Sequence, residues 1–353
     1  MCSDTAVPFI RNEIASQGRT WKELIPLVME QADALRESFA GVDEIILTGC
    51  GSGLNASLCG ASILQMQTGI SARAVPASDN YLFPQCVMVS GRQTVAVLIS
   101  RSGRTTEVVR ALDALRSRGI RSIAITCTED SPLAGRTELA LVLTPVAERA
   151  VATTRSLTGM ILATQLLAAI VSGDEGYLKG LSRLPELCQS QMEGYRELGK
   201  VIGQRTDLTR YAFVGSGPFF GLARESQLKV KEMVLLPADA YPVLDFRHGP
   251  QSNVDAQMLV TAFISDSARE EELQFLRDMR ALGGVTWALC ERADERLRAH
   301  ADYVLDLNSG LGELARGPLY MPAVQYMAYY RSLSRGLNPD EPRHLSYWID
   351  TSS

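Results

Sequence analysis

Nowhere in its 353 residues does this chain carry a long run of Lys or Arg, and its formal net charge is −5. The electrostatic footprint of a nucleic-acid binder is therefore missing. Cysteine is sparse in pattern as well as number. Cys2, Cys50, Cys59, Cys86, Cys127, Cys188 and Cys290 form no CxxC and no Cys/His pair at ligand spacing, which removes the usual zinc signatures and points to a reducing, cytoplasmic setting. No apolar run reaches the ~20 residues of a membrane span. The longest, 160–171, is interrupted by Thr164 and Gln165 and fits a buried helix. Residues 1–13 place acidic and polar side chains where a secretory signal needs an apolar stretch, so no signal peptide is expected.

What is present is an ordinary globular composition, 46% hydrophobic and 21% charged, long enough for two domains. Four β-rich segments, 44–48, 94–99, 122–126 and 139–143, alternate with stretches of helical period. In 106–118, for example, Val108, Val109, Leu112 and Leu115 share one face. Alternation of this kind predicts a parallel sheet covered by helices on both sides. The pattern then repeats. EIILTGCGSG (44–53) returns as RYAFVGSGPF (210–219), and the strand, serine turn, helix and strand of 96–127 return over 261–290. The expected architecture is α/β: an N-terminal stretch (1–40), a first subdomain (41–175), a helical linker (176–200), a second subdomain (201–335) and a C-terminal tail (336–353).

The serine turn differs between the copies. The first reads Ser100-Arg101-Ser102-Gly103-Arg104-Thr105 between a strand and a helix, where N–H groups and hydroxyls make an anion site. Ser and Thr are favoured at any helix start, so capping explains the hydroxyls equally well. It does not call for two arginines. The second copy carries Asp266 and Glu270, which would repel an anion. The turn Gly49–Asn55 reads GxGxG rather than GxGxxG, and no acidic residue ends the next strand, which disfavours a dinucleotide. Glu225, Lys229 and Glu232 fall at i, i+4 and i+7 of one helical face. Spacing alone fits a solvated ion-pair helix, but the position directly after the second glycine turn is where such sheets bind ligands. His248 lies in the loop DFRHGP, where an exposed imidazole is placed for proton transfer. His300 reads as a helix-surface residue, and His344 has weaker surroundings than His248.

These motifs resemble the SIS (sugar isomerase) superfamily, in particular the isomerase half of glucosamine-6-phosphate synthase and the stand-alone hexosamine-6-phosphate deaminases and isomerases. The likeness extends over nearly the whole chain, including the helical lead-in at 8–17. It implies two tandem SIS subdomains of three-layer α/β/α, flavodoxin-like form. It implies a substrate phosphate on Ser100, Arg101, Ser102 and Thr105, and sugar contacts from Ser52, Val151, Ala152 and Thr153. Glu232 would shuttle a proton between C1 and C2, Lys229 would sit near the reacting hydroxyls, and His248 would open the sugar ring, entering from the partner subunit of a homodimer. Glu225 matches a family glutamate of less defined role. Such chemistry needs an acid, a base and one base reaching two carbons, and no metal or other cofactor.

Three departures from the family pattern bear on the reaction. Met1-Cys2 has the look of the synthase's cysteine nucleophile, but no glutaminase half accompanies it, so glutamine is not expected as nitrogen donor. Tyr347 stands where the synthase has an imine-forming lysine, and Tyr cannot form an imine. Gly53 and Arg101 replace a serine and a glutamine, and a guanidinium could make up lost donors to phosphate. The expected activity is a hexosamine-6-phosphate deaminase/isomerase. The alternatives are a fructosamine-6-phosphate deglycase, an ammonia-dependent relative of the synthase, and a non-catalytic phosphosugar-binding regulator.

Overall fold

The computed structural model describes residues 8–348; Cys2 lies outside them. Two five-stranded, all-parallel sheets form the frame. The first contains β1 (Glu44–Gly49), β2 (Ser71–Pro76), β3 (Thr94–Ile99), β4 (Arg121–Thr126) and β5 (Leu139–Val142) in the order β2-β1-β3-β4-β5. The second contains β6 (Arg210–Val214), β7 (Ala238–Tyr241), β8 (Met258–Phe263), β9 (Val285–Cys290) and β10 (Tyr303–Asp306), in the equivalent order β7-β6-β8-β9-β10. The internal repeat is thus a repeat of topology.

Central strands are apolar because both faces are covered: β1 and β8 are buried along their whole length. Sequence reading passed over three edge strands, β2, β7 and β10, and β2 shows why. It pairs only with β1, and of its residues only Val75 is buried, so SARAVP carries neither an apolar run nor clean alternation. An edge strand has no second neighbour to require either.

Two stretches expected to be helical are helices and pack into the body of the protein. The apolar run becomes the helix Arg155–Ser172, long and apolar enough to cross a membrane, yet buried in the protein against the helices Ser52–Thr68 and Gln17–Met29. The stretch between the sheets is no tether: its long helix Leu184–Gly203 packs along Gly317–Ser334. A single apolar core, from Trp21 and Leu47 through Ile161 to Phe213, Phe263 and Tyr320, runs through both halves.

Connections leave β1 and β3 toward opposite sides of the sheet, which makes their carboxyl ends the switch point where open α/β sheets bind ligands. The turn Gly49–Asn55 follows β1 and the serine turn follows β3. At the equivalent place in the second sheet the serine turn is already filled. The Glu313 carboxylate accepts the N–H groups of Asp266 (2.6 Å) and Ser267 (3.0 Å), and Glu272 accepts the N–H (2.6 Å) and hydroxyl (3.0 Å) of Ser265. Asp266 and Glu270, expected to repel an anion there, are instead paired with Arg316 and Arg296. What closes this turn to an anion is a pair of carboxylates from farther along the chain.

Candidate active site

Past Ile99 the chain turns sharply, with Gly103 at φ +60°, where a Cβ would lie 2.3 Å from the Ser131 hydroxyl. Among the described residues, the N–H groups of Arg101, Ser102 and Thr105 have no protein partner, and the Ser100 and Thr105 hydroxyls lie 3.1 Å apart. With the helix Thr106–Arg116 starting here, the turn is a ready anion cradle. It opens into a cavity of about 170 Å³ that is also lined by Ser52, Gly53, Val151, Thr153, Glu232 and Tyr347. Gly53 is required by packing: a Cβ would stand 2.4 Å from the Ile99 carbonyl oxygen. At Gly53 the two turns touch.

The acidic and basic residues read as one helical face meet differently from that reading. The helix Phe220–Lys229 runs into a π-helical turn, Val230–Val234, which ends at Leu235 with φ +57°. π-turns recur at functional sites. This one brings Glu232 onto Lys229, whose Nζ lies 2.6 Å from Glu232 Oε2, 3.2 Å from Glu225 Oε1 and 3.1 Å from Thr153 Oγ1. The Lys229 and Glu225 side chains are fully buried and Glu232 is partly open, so a solvated ion-pair helix does not describe them. Ser52 Oγ (3.0 Å) and Asn55 Nδ2 (2.8 Å) donate to the two oxygens of Glu225.

Burial pushes the Glu225 carboxyl above its ordinary range, opposed by the Lys229 charge and assisted by Glu232. Burial would lower Lys229, but Glu232 and then Glu225 outweigh it and hold the ammonium above its usual value. The site therefore offers a fixed cation touching one partly open carboxylate. Cys50, on the cavity wall, has its thiol pushed up to about 11 by burial and is no ready nucleophile.

Arg101 departs from its expected role. Its Nη1 donates to Glu148 Oε1 (3.2 Å) and the Ala150 carbonyl (3.0 Å), and its Nη2 to the carbonyls of Val151 (3.0 Å) and Tyr347 (2.9 Å). With the guanidinium engaged by protein, the turn presents the Arg101 backbone N–H to an anion. Tyr347 packs its ring against that guanidinium, 3.9 Å from centroid to Cζ, and donates its hydroxyl to the Glu148 carbonyl at 3.0 Å. Burial raises the phenol's pKa although Arg101 acts the other way, so it stays a donor.

Of the remaining expected residues, Ala152 is buried beside Val151 and Thr153 and does not line the cavity. His248 is exposed on the loop after β7, outside this cavity. His344, also exposed, does not line it either.

Three participants escaped sequence reading. Asn55 lay inside the glycine turn, one helical turn after Ser52, and that spacing was the available signal. Glu148 begins the loop that carries Val151 and Thr153 and is buried, accepting from the N–H and hydroxyl of Thr154 (both 3.0 Å) and the N–H of Ser156 (3.3 Å). Glu13, in the lead-in, supports the same loop through the N–H of Arg149 (2.5 Å). Nothing in the sequence marks that contact. Among the described residues no cluster of three His, Cys, Asp or Glu could hold a metal.

The SIS domain model matches residues 38–170 and again 207–335. This chain belongs to the SIS family. It is 26% identical over 327 residues to the glutamine–fructose-6-phosphate aminotransferase (isomerizing) of Methanothermobacter thermautotrophicus, covering 92% of this chain and 53% of that one. The SIS chain thus spans about half the length of the curated relatives it matches. Among solved structures, the glucosamine-6-phosphate deaminase of Thermotoga maritima is 28% identical with a TM-score of 0.74, covering 92% of this chain and 99% of that one. The tagatose-6-phosphate ketose/aldose isomerase of Escherichia coli superimposes with a TM-score of 0.86 at 23% identity, covering 100% and 99%. At that identity the second likeness speaks for the fold.

Proposed function

We propose that this SIS chain is a phosphosugar isomerase, and specifically a hexosamine-6-phosphate deaminase/isomerase that converts glucosamine 6-phosphate and water to fructose 6-phosphate and ammonia. The observation that carries the reading is Glu232, held by the buried Lys229, on the wall of the same cavity as the unpartnered N–H groups of the serine turn. A sugar phosphate anchored at that turn extends its carbon chain toward Glu232. The likeness to a glucosamine-6-phosphate deaminase over nearly all of both chains supports the same substrate class.

In this mechanism the ring opens first, which needs an acid and a base, and His248 of the partner subunit supplies one of them in a homodimer. Glu232 then takes the C2 proton and returns it to C1 while a proton passes from the amine nitrogen to O1, leaving a hydroxyl at C1 and an imine at C2 that water hydrolyses with release of ammonia. Lys229 holds Glu232 in place and stabilises negative charge on the neighbouring oxygen as the proton moves. Ser52 and Thr153 hold the buried pair and face the sugar. Tyr347 forms no imine, so the ketose is handled without a covalent link to the chain.

A second reading has its own observation. Leu345 and Trp348 rim the cavity while remaining 40% and 45% exposed, an apolar lip suited to the amine substituent of a phosphorylated fructosamine. The deciding experiment is NMR of the protein with glucosamine 6-phosphate in heavy water. Ammonia, fructose 6-phosphate and deuterium at C1 are expected; binding without turnover or exchange overturns the deaminase and directs the assay to fructosamine phosphates, then to a regulator that only binds. Glu232→Gln should keep phosphosugar binding and lower the rate about 10²–10⁴-fold.

A further inference from the structure

After the helix Gly317–Ser334 the chain returns across the cavity as a strap fastened at two points. At the first, the Asp340 carboxylate accepts the N–H groups of Phe9 (2.7 Å) and Ile10 (2.9 Å), while the Asp340 carbonyl accepts that of Val151 (3.0 Å). At the second, Tyr347 meets Arg101 and Glu148 as described. Between them, residues 343–346 are exposed on their outer side, and Leu345 and Ser346 line the cavity.

The second fastening is built around a buried charge pair. Arg101 is 8% exposed and the Glu148 side chain is fully covered. A guanidinium is the one side chain that can reach four acceptors in fixed directions, here on the loop 148–151 and the strap together. All four acceptors are protein oxygens, so the contact is complete without an anion.

We propose that Arg101 is a positioning residue: with Glu148 it latches the strap across the cavity through protein partners alone, making the face of Tyr347 a fixed wall of the sugar site. Substrate then enters by transient release of the strap, and Arg101 sets how often that happens. The inference rests on the proposed reading only in taking this cavity as the phosphosugar site. The latch itself is tested without substrate.

Arg343 is exposed on the strap and gives trypsin a cleavage point. Full-length wild-type protein, Arg101→Gln and Arg101→Gln/Glu148→Gln are compared by limited trypsin digestion without ligand. The double variant removes both charges, so no buried carboxylate is left alone to unfold the protein. Cleavage after Arg343 should accelerate about tenfold or more in both variants, the factor expected for losing a charged hydrogen bond from a segment that opens locally. Cleavage elsewhere should be unchanged, which a general loss of stability would not allow. Acrylamide quenching of Trp348 should rise in parallel.

Equal cleavage in wild type and variants overturns the latch. So does a wild-type strap that becomes protected only when inorganic phosphate or glucosamine 6-phosphate is added, since the ligand would then be what closes it. Failure of the protein to turn over any sugar phosphate would sink the proposed function and leave the digestion result standing.

Discussion

Lys229 is the residue on which most of the site depends. Its ammonium is enclosed with two carboxylates and a hydroxyl, and removing it would leave Glu225 and Glu232 facing each other in a buried place. Loss of one partner from such a group typically costs about 3–5 kcal/mol. Lys229→Met should therefore lower stability by that order in urea unfolding, and adding Glu225→Gln should recover part of it. Activity should not return, because the cation beside Glu232 is still missing. The identities of these three residues were legible in the sequence, since their spacing and place after a glycine turn singled them out. The direction of Arg101 was not. Its partners Glu148 and Tyr347 lie 47 and 246 positions away, and a side chain's orientation is decided by such partners rather than by its own neighbours.

At the scale of elements, the two turns at the carboxyl ends of β1 and β3 act as one unit, and glycine fixes both. Gly103→Ala would force a Cβ into a left-handed conformation and against the Ser131 side chain, 2.6 Å from its Cβ. The backbone penalty alone is about 1–2 kcal/mol. The variant should lose at least that much stability and bind inorganic phosphate more weakly, both measurable by calorimetry. Legibility also varied by element. Central strands were found because burial on both faces writes an apolar run, whereas β2, half exposed at an edge, writes none. The helix bearing Glu225 and Lys229 was found as a helix, but its π-turn was not, because a single shift in hydrogen-bond register leaves no mark in composition.

Over the whole molecule, the repeat was legible because both copies keep the order of strand, turn and helix, while the packing that joins them was not. The stretch read as a linker is a long helix contributing to the shared core. Stability should depend on pH through the second half. Burial pushes the Glu272 carboxyl up to about 7, against the hydrogen bonds from Ser265, with Glu313 and Glu271 adding to the rise. A folded-state value above the unfolded one means that stabilisation is complete below about pH 4.5 and is lost as pH rises through about 7, a span of order 3 kcal/mol. Glu272→Gln should flatten that slope between pH 5 and 8 in thermal unfolding, and an unchanged slope would remove Glu272 as its source.

Glu313 gives the repeat an asymmetry with a consequence of its own. Its carboxylate occupies the N–H groups of the second serine turn as an anion from solution would occupy those of the first. Being part of the same chain, it holds that place at an effective concentration that a dilute solute cannot match. One half of the molecule is thus permanently saturated, and a titration of the protein with phosphate should count one cradle per chain although the fold builds two.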